Sequence, residues 1–181
     1  ANVTLSSDGL GATLDAANAS RALVVSDGAR LTLRRVHLTG GWSSHQGGCV
    51  LVGGPSVGVE VAQLHFEDAS ISDCRAVRGA GVFVQGGALV EMVGGTIARC
   101  SAEAQSGFAL GGGIFIESGN VWLHDSAIDE CSAEAEAGAG GGGIFVQGGA
   151  LETTSTTIAN ASAVGSPAVG GGVYVYSGDV R

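Results

Sequence analysis

Short apolar runs recur along the chain, each with two branched apolar residues flanking one intervening position. They are Leu23 to Val25, Val50 to Val52, Val82 to Val84, Ile114 to Ile116, Ile144 to Val146 and Val173 to Val175. The last four sit in one phrase, written GAGVFV, GGGIFI, GGGIFV and GGGVYV. The glycine before each of these runs is Gly81, Gly113, Gly143 or Gly172, giving steps of 32, 30 and 29 residues. Self-similarity at a period of roughly 20–50 residues marks a stacked-repeat architecture.

Each run is followed by a tight-turn signal such as Gly86-Gly87, Ser118-Gly119, Gly148-Gly149 or Ser177-Gly178. A second apolar run comes next, at Val90 to Met92, Val121 to Leu123 and Leu151 to Thr153, and then an isoleucine at Ile97, Ile128 or Ile158. A looser Ser/Ala/Glu/Gly segment returns the chain to the next phrase. Residues 1–46 fit this frame less regularly and residues 47–181 fit it well. Runs of three to five residues with β-branched and aromatic enrichment, bounded by glycine, read as strands.

A repeat built this way stacks each strand in parallel on its copies. The chain is expected to be all-β, a single right-handed parallel β-helix of about six coils of roughly 26–32 residues, rising about 4.8 Å per coil. A β-propeller would need longer repeats with four antiparallel strands per blade. Alternation along a strand then sorts the columns. Leu23, Val50, Val82, Ile114, Ile144 and Val173 should face the core, as should Val25, Val52, Val84, Ile116, Val146 and Val175. The intervening Phe83, Phe115, Phe145 and Tyr174 should face outward, beside Gln85, Glu117, Gln147 and Tyr176. This stripe is the candidate binding surface. It has three readings: cover by the Ala/Gly-rich return segments, lateral contact with another chain, or stacking on sugar rings of a polysaccharide.

Composition narrows the classes. Glycine accounts for 33 residues and proline for 2, without a collagen triplet, which points to many tight turns. The net charge is -9 and all eight basic residues are arginine. Nucleic acid and anionic membrane surfaces are therefore disfavoured partners. No apolar run is long enough for a transmembrane helix. The chain opens and closes in mid-coil and reads as a segment of a longer or processed protein. Asn2, Asn18 and Asn160 head Asn-x-Ser/Thr triplets, candidate glycosylation sites on a secretory route.

Candidate chemistry is sparse. Cys74, Cys100 and Cys131 fall in one column and read as a stack of small buried residues, with Cys49 apart as a lone core thiol. Their spacing matches no metal site, and neither metal nor cofactor is expected. His37, His45, His65 and His124 are scattered and read as surface residues. Asp68 and Asp125 share one column; Asp73 and Glu130 share another with Arg99 between. Glycoside hydrolysis needs two carboxylates at a defined separation, so these columns carry the enzyme alternative, a polysaccharide lyase or hydrolase. Regular repeats argue against it, because catalysis needs one coil to differ from its neighbours. Thr153, Thr154, Thr156 and Thr157 cluster in one coil without an echo, unlike an ice-binding array.

The phrase GG-[GA]-[IV]-[FY]-[VI] resembles the GGA-[ILV] motif of the polymorphic outer membrane protein repeat, found in surface autotransporters. That family carries a second motif, Phe-x-x-Asn. The matching stretches here are Ile71-Ser72-Asp73-Cys74, Ile97-Ala98-Arg99-Cys100, Ile128-Asp129-Glu130-Cys131 and Ile158-Ala159-Asn160-Ala161. The resemblance covers about residues 47–181. It implies a right-handed β-helix on a secreted or cell-surface protein, with adhesion as the usual role. The expectation is a non-enzymatic extracellular structural or adhesion module. Its partners would be other chains, flanking domains or cell-surface polysaccharide.

Overall fold

A computed structural model describes residues 2–9, 11–54 and 60–181 of the 181-residue chain. It is a parallel β-solenoid of about six turns, without helix among the described residues. Three long parallel sheets wrap the core. The first stacks Leu23–Val25, Val50–Val52, Val82–Val84, Ile114–Ile116, Ile144–Val146 and Val173–Val175. The second has seven strands, from Asn2–Ser6 through Ala88–Val93 and Gly119–His124 to Asp179–Val180. The third has six, from Ala12–Asp15 through Thr96–Ala98 and Ala127–Asp129 to Thr157–Ala159, and it contains the isoleucines that the sequence placed after each second run.

The pairing is in register from rung to rung. Val82 lies between Val50 and Ile114, Met92 between Phe66 and Leu123, and Ile97 between Ile71 and Ile128. These side chains form one continuous buried core. Each fully buried Val, Leu, Ile, Met or Phe contributes about 1.5–3 kcal/mol. The outermost rungs lack a neighbour on one side, which leaves Val3, Leu5, Val173 and Val175 exposed.

Corners between sheets turn through left-handed backbone. Asp73, Arg99, Glu130 and Asn160 occupy one corner column with φ between 50° and 57°. Asp68 and Asp125 occupy another, with φ of 49° and 47°. Asp and Asn tolerate this conformation better than most side chains. The acidic columns noted in the sequence are thus, first of all, turn positions.

The glycine phrase combines two constraints. Its first glycine is left-handed, as at Gly141 with φ of +59°. Its second leaves no room for a side chain in the coils with long returns, where a Cβ on Gly112 would lie 2.2 Å from the Ser132 carbonyl oxygen; the coil with the short return carries the buried Ala80 there. The phrase is therefore the point where each new coil is pressed onto the next.

The return segments are more ordered than their composition indicates. Arg75–Ala76, Ser101–Ala104, Ser132–Ala135 and Ser162–Gly165 form a fourth parallel sheet. Ala109–Leu110, Ala139–Gly140 and Ala168–Val169 form a fifth. Ala102, Ala109, Ala133, Ala135 and Ala139 pack between them as a second buried cluster. The methyl-sized side chains let two short strands fold closely against each other outside the main core.

Cys49 is not a lone thiol. It forms a disulfide with Cys74, with Cα atoms 5.4 Å apart. Cys100 and Cys131 remain free and buried, as a column of small residues should be.

Candidate functional site

The aromatic column points away from the main core, as alternation requires, but it is not a surface. Phe83, Phe115 and Phe145 are buried in a third cluster with Leu51, Leu110 and the half-buried Tyr174. Their register is direct, Phe83 to Phe115 to Phe145 to Tyr174. The phenylalanine rings stack at centroid distances of 5.1 and 5.2 Å, within 7° of parallel. The Tyr174 ring tilts by 42° at the end of the stack. The fifth sheet covers the column. Gly140 sits against it so closely that a Cβ there would lie 3.2 Å from the Phe145 ring. The reading of Phe83, Phe115 and Phe145 as an exposed binding stripe is therefore corrected: the Ala/Gly-rich returns cover them. Gln85 and Glu117 are half-buried, Gln147 is exposed, and Tyr176 is 73 % exposed in the last rung.

Two polar networks lie on the outer faces. In the first, Arg99 forks onto Asp73, with Nε to Oδ1 and Nη2 to Oδ2 both 2.9 Å. The Ser72 hydroxyl donates to Asp73 Oδ2 at 2.5 Å, and His37 Nε2 lies 3.1 Å from the same hydroxyl. His37 Nδ1 meets the Ser70 hydroxyl at 2.7 Å. The Arg99 hydrogen bond holds the Asp73 carboxyl below the usual carboxylate range, against a smaller desolvation effect. A serine, a histidine and an aspartate meet here, but not in the order of a nucleophilic triad. The aspartate binds the serine instead of orienting the histidine, and Ser72 is buried.

In the second network, His65 lies 3.0 Å from both Glu67 and Glu91, and Arg34 bonds Glu67. His37 and His65 are thus half-buried and partnered, whereas His45 is exposed. Asp68 and Asp125 are two rungs apart with Gly94 between them, since Val93 pairs with both Glu67 and His124.

The thiol column is shielded. Burial pushes the Cys100 thiol well above its ordinary value. The hydrogen bond that Cys100 donates to Cys131 favours the thiolate of the latter, against that sulfur's own burial. Among the described residues, no group of three or more His, Cys, Asp or Glu could hold a metal ion. Asn2, Asn18 and Asn160 are exposed, and the Asn160 amide donates to Asp129 at 2.8 Å.

Sequence reasoning missed a cleft of about 1050 Å³ on the return face. Trp42, His45, Arg75, Arg78, Glu103 and Glu134 are among the residues lining it. The interval from Cys74 to Gly81 is 7 residues, whereas those from Cys100 to Gly113 and Cys131 to Gly143 are 13 and 12. The cleft lies where short returns meet long ones, a step that counting the intervals would have revealed. No protein-family model, curated protein or solved structure matches the chain.

Proposed function

We propose that this chain is a non-enzymatic structural and adhesion module of the extracellular or cell-surface space, a rigid rod that carries its outer faces to other chains or flanking domains. The observation that carries this reading is the unbroken register of like residues. From Leu23 to Val173, and from Val25 to Val175, every rung stacks a branched apolar residue on another. Stability in such a stack is a sum of nearest-neighbour interfaces, which suits a spacer that must hold its length. The Cys49–Cys74 disulfide adds support, because such bonds persist in oxidising compartments. The GG-[GA]-[IV]-[FY]-[VI] phrase, with its resemblance to surface-protein repeats, points the same way.

Protein recovered from its native source provides the test. Peptide mapping without reductant should find Cys49 joined to Cys74, and protease treatment of intact cells should release fragments of the chain. Incubation with pectin, alginate and related polymers should yield no new chain ends. Turnover abolished by Asp125→Asn would replace this reading with the enzymatic one.

A further inference from the structure

We propose that the cleft at the step in the return face binds a short uronate-containing oligosaccharide. The inference goes beyond the scaffold reading and stands on the cleft alone.

The floor is built from backbone already committed to the coil. Trp42 bridges Arg75, Gln46 bridges Arg78, and Arg78 bridges Leu110, all in parallel. The Ser43 amide donates to the Arg75 carbonyl at 3.0 Å, and the Arg78 amide to the His45 carbonyl at 3.0 Å. Arg21 braces this floor from below, its Nε 2.9 Å from the Gln46 carbonyl and its Nη2 3.1 Å from the Ser43 hydroxyl. The Cys49–Cys74 disulfide closes the same two segments at their base. An extended peptide binds by adding main-chain hydrogen bonds to a free edge. Here those groups are used, so recognition falls to side chains.

The side chains sort by rung. Trp42 is 46 % exposed, one rung below Arg75. Neither Arg75 nor Arg78 forms a side-chain ion pair or hydrogen bond among the described residues. On the long returns, Glu103 and Glu134 stand in register with each other on the next two rungs. From Trp42 to Glu134 the cleft climbs three rungs, about 14 Å at the strand spacing.

This order matches the chemistry of an acidic sugar. A pyranose ring has an apolar C–H face, which the broad Trp42 indole can cover. Its carboxylate takes the forked geometry of a guanidinium, supplied twice by Arg75 and Arg78. Its hydroxyls donate to carboxylate acceptors, supplied by Glu103 and Glu134. A neutral sugar leaves both arginines unmatched. A ligand with anions on every side meets Glu103 and Glu134 and a net charge of -9.

The test uses the full chain carrying Trp122→Phe, which leaves Trp42 as the sole tryptophan reporter. Galacturonate trimer, a neutral glucose trimer and hexaglutamate are titrated in turn. Galacturonate should change Trp42 emission saturably, more weakly as salt rises. Arg75→Gln or Arg78→Gln should each weaken binding about tenfold or more, the scale of a charge-assisted contact, with circular dichroism unchanged. Equal binding of the neutral trimer, no saturable response to galacturonate, or no effect of either arginine substitution would overturn the proposal. Tighter binding of hexaglutamate would overturn it in favour of an acidic peptide.

Discussion

Cys49 stands where the next four coils carry the third glycine of the phrase, and its sulfur is bonded to Cys74. The coils above repeat the same contact without the bond. A Cβ on Gly81 would lie 3.4 Å from the Cys100 sulfur, and one on Gly113 would lie 3.5 Å from that of Cys131. The disulfide therefore occupies a contact that the two coils above make between glycine and cysteine, and that the next makes between Gly143 and Ala161. Cys49→Gly returns this coil to the common pattern and removes a crosslink across 25 residues. The loss should be about 2–4 kcal/mol in the chain-entropy view. Denaturant midpoints of the oxidised protein, the reduced protein and the variant decide it. The last two should coincide below the first; equal midpoints for oxidised and reduced protein would show that the bond constrains nothing.

The stacked phenylalanines behave as core, although they lie outside the main one. Phe115 is fully buried between Phe83 and Phe145. Phe115→Ala should cost about 3–5 kcal/mol, the range for a large buried aromatic. Trp42→Ala, on the exposed cleft, should cost far less. Equilibrium unfolding separates the two, and hydrogen exchange should find the Phe115→Ala loss first in the amides of Ala109–Leu110 and Ala139–Gly140, which form the cover. A Phe115→Ala protein as stable as the parent would mean that the ring is solvated after all.

The sequence made the core columns legible because two signals coincide there. Period-two alternation fixes which residues of Ile114 to Ile116 share a face, and the glycine phrase fixes the register between coils. Alternation cannot tell what covers the opposite face. Phe115 faces away from the main core, as expected, yet the cover consists of two-residue strands such as Ala109–Leu110 that carry no periodic signal. The Cys49–Cys74 pair was hidden for a related reason. Its separation is 25 residues, whereas Gly81 and Cys100 are 19 apart and Gly113 and Cys131 are 18, because 10 residues lie between Val52 and Gln63 and only 3 between Val84 and Ala88. The cleft at Trp42 arises from a change in return length, not from a motif.

Gly141 tests the phrase itself. Its φ is +59° and a Cβ would lie 2.3 Å from the Ile144 carbonyl oxygen. Gly141→Ala should destabilise by about 1–3 kcal/mol through backbone strain. Gly9, whose Cβ would meet nothing within 4 Å, is the control: Gly9→Ala should leave the unfolding midpoint nearly unchanged. A Gly141→Ala protein that matches the control would mean that the coil can relax there.

The free thiols should be silent in the folded protein. Cys100 and Cys131 are buried, and burial raises the Cys100 thiol. Reactivity follows thiolate fraction and access, and Cys100 lacks both. A thiol reagent should therefore label neither cysteine in native buffer and both in denaturant. Rapid native labelling of Cys131 alone would show that the hydrogen bond from Cys100 outweighs burial.

Asp73 sets the acid response of its corner. The hydrogen bond from Arg99 lowers its carboxyl, and Ser72 adds to the effect. A carboxyl depressed in the folded state contributes stability that is fully present above its unfolded value, about 3.9, and is lost as pH falls through the folded value. The contribution is small because the pair is half exposed, with 49 % of the Asp73 side chain accessible. Asp73→Asn removes the charge while keeping a residue that tolerates the left-handed corner at φ of 57°. The stability gap between parent and variant should be constant from about pH 7 to pH 5, shrink below about pH 4, and close under stronger acid. Added salt should narrow it at neutral pH. Unfolding midpoints of the two proteins across that range check the sign. A gap that persists unchanged in acid would assign the effect to the lost Ser72 contact rather than to the charge.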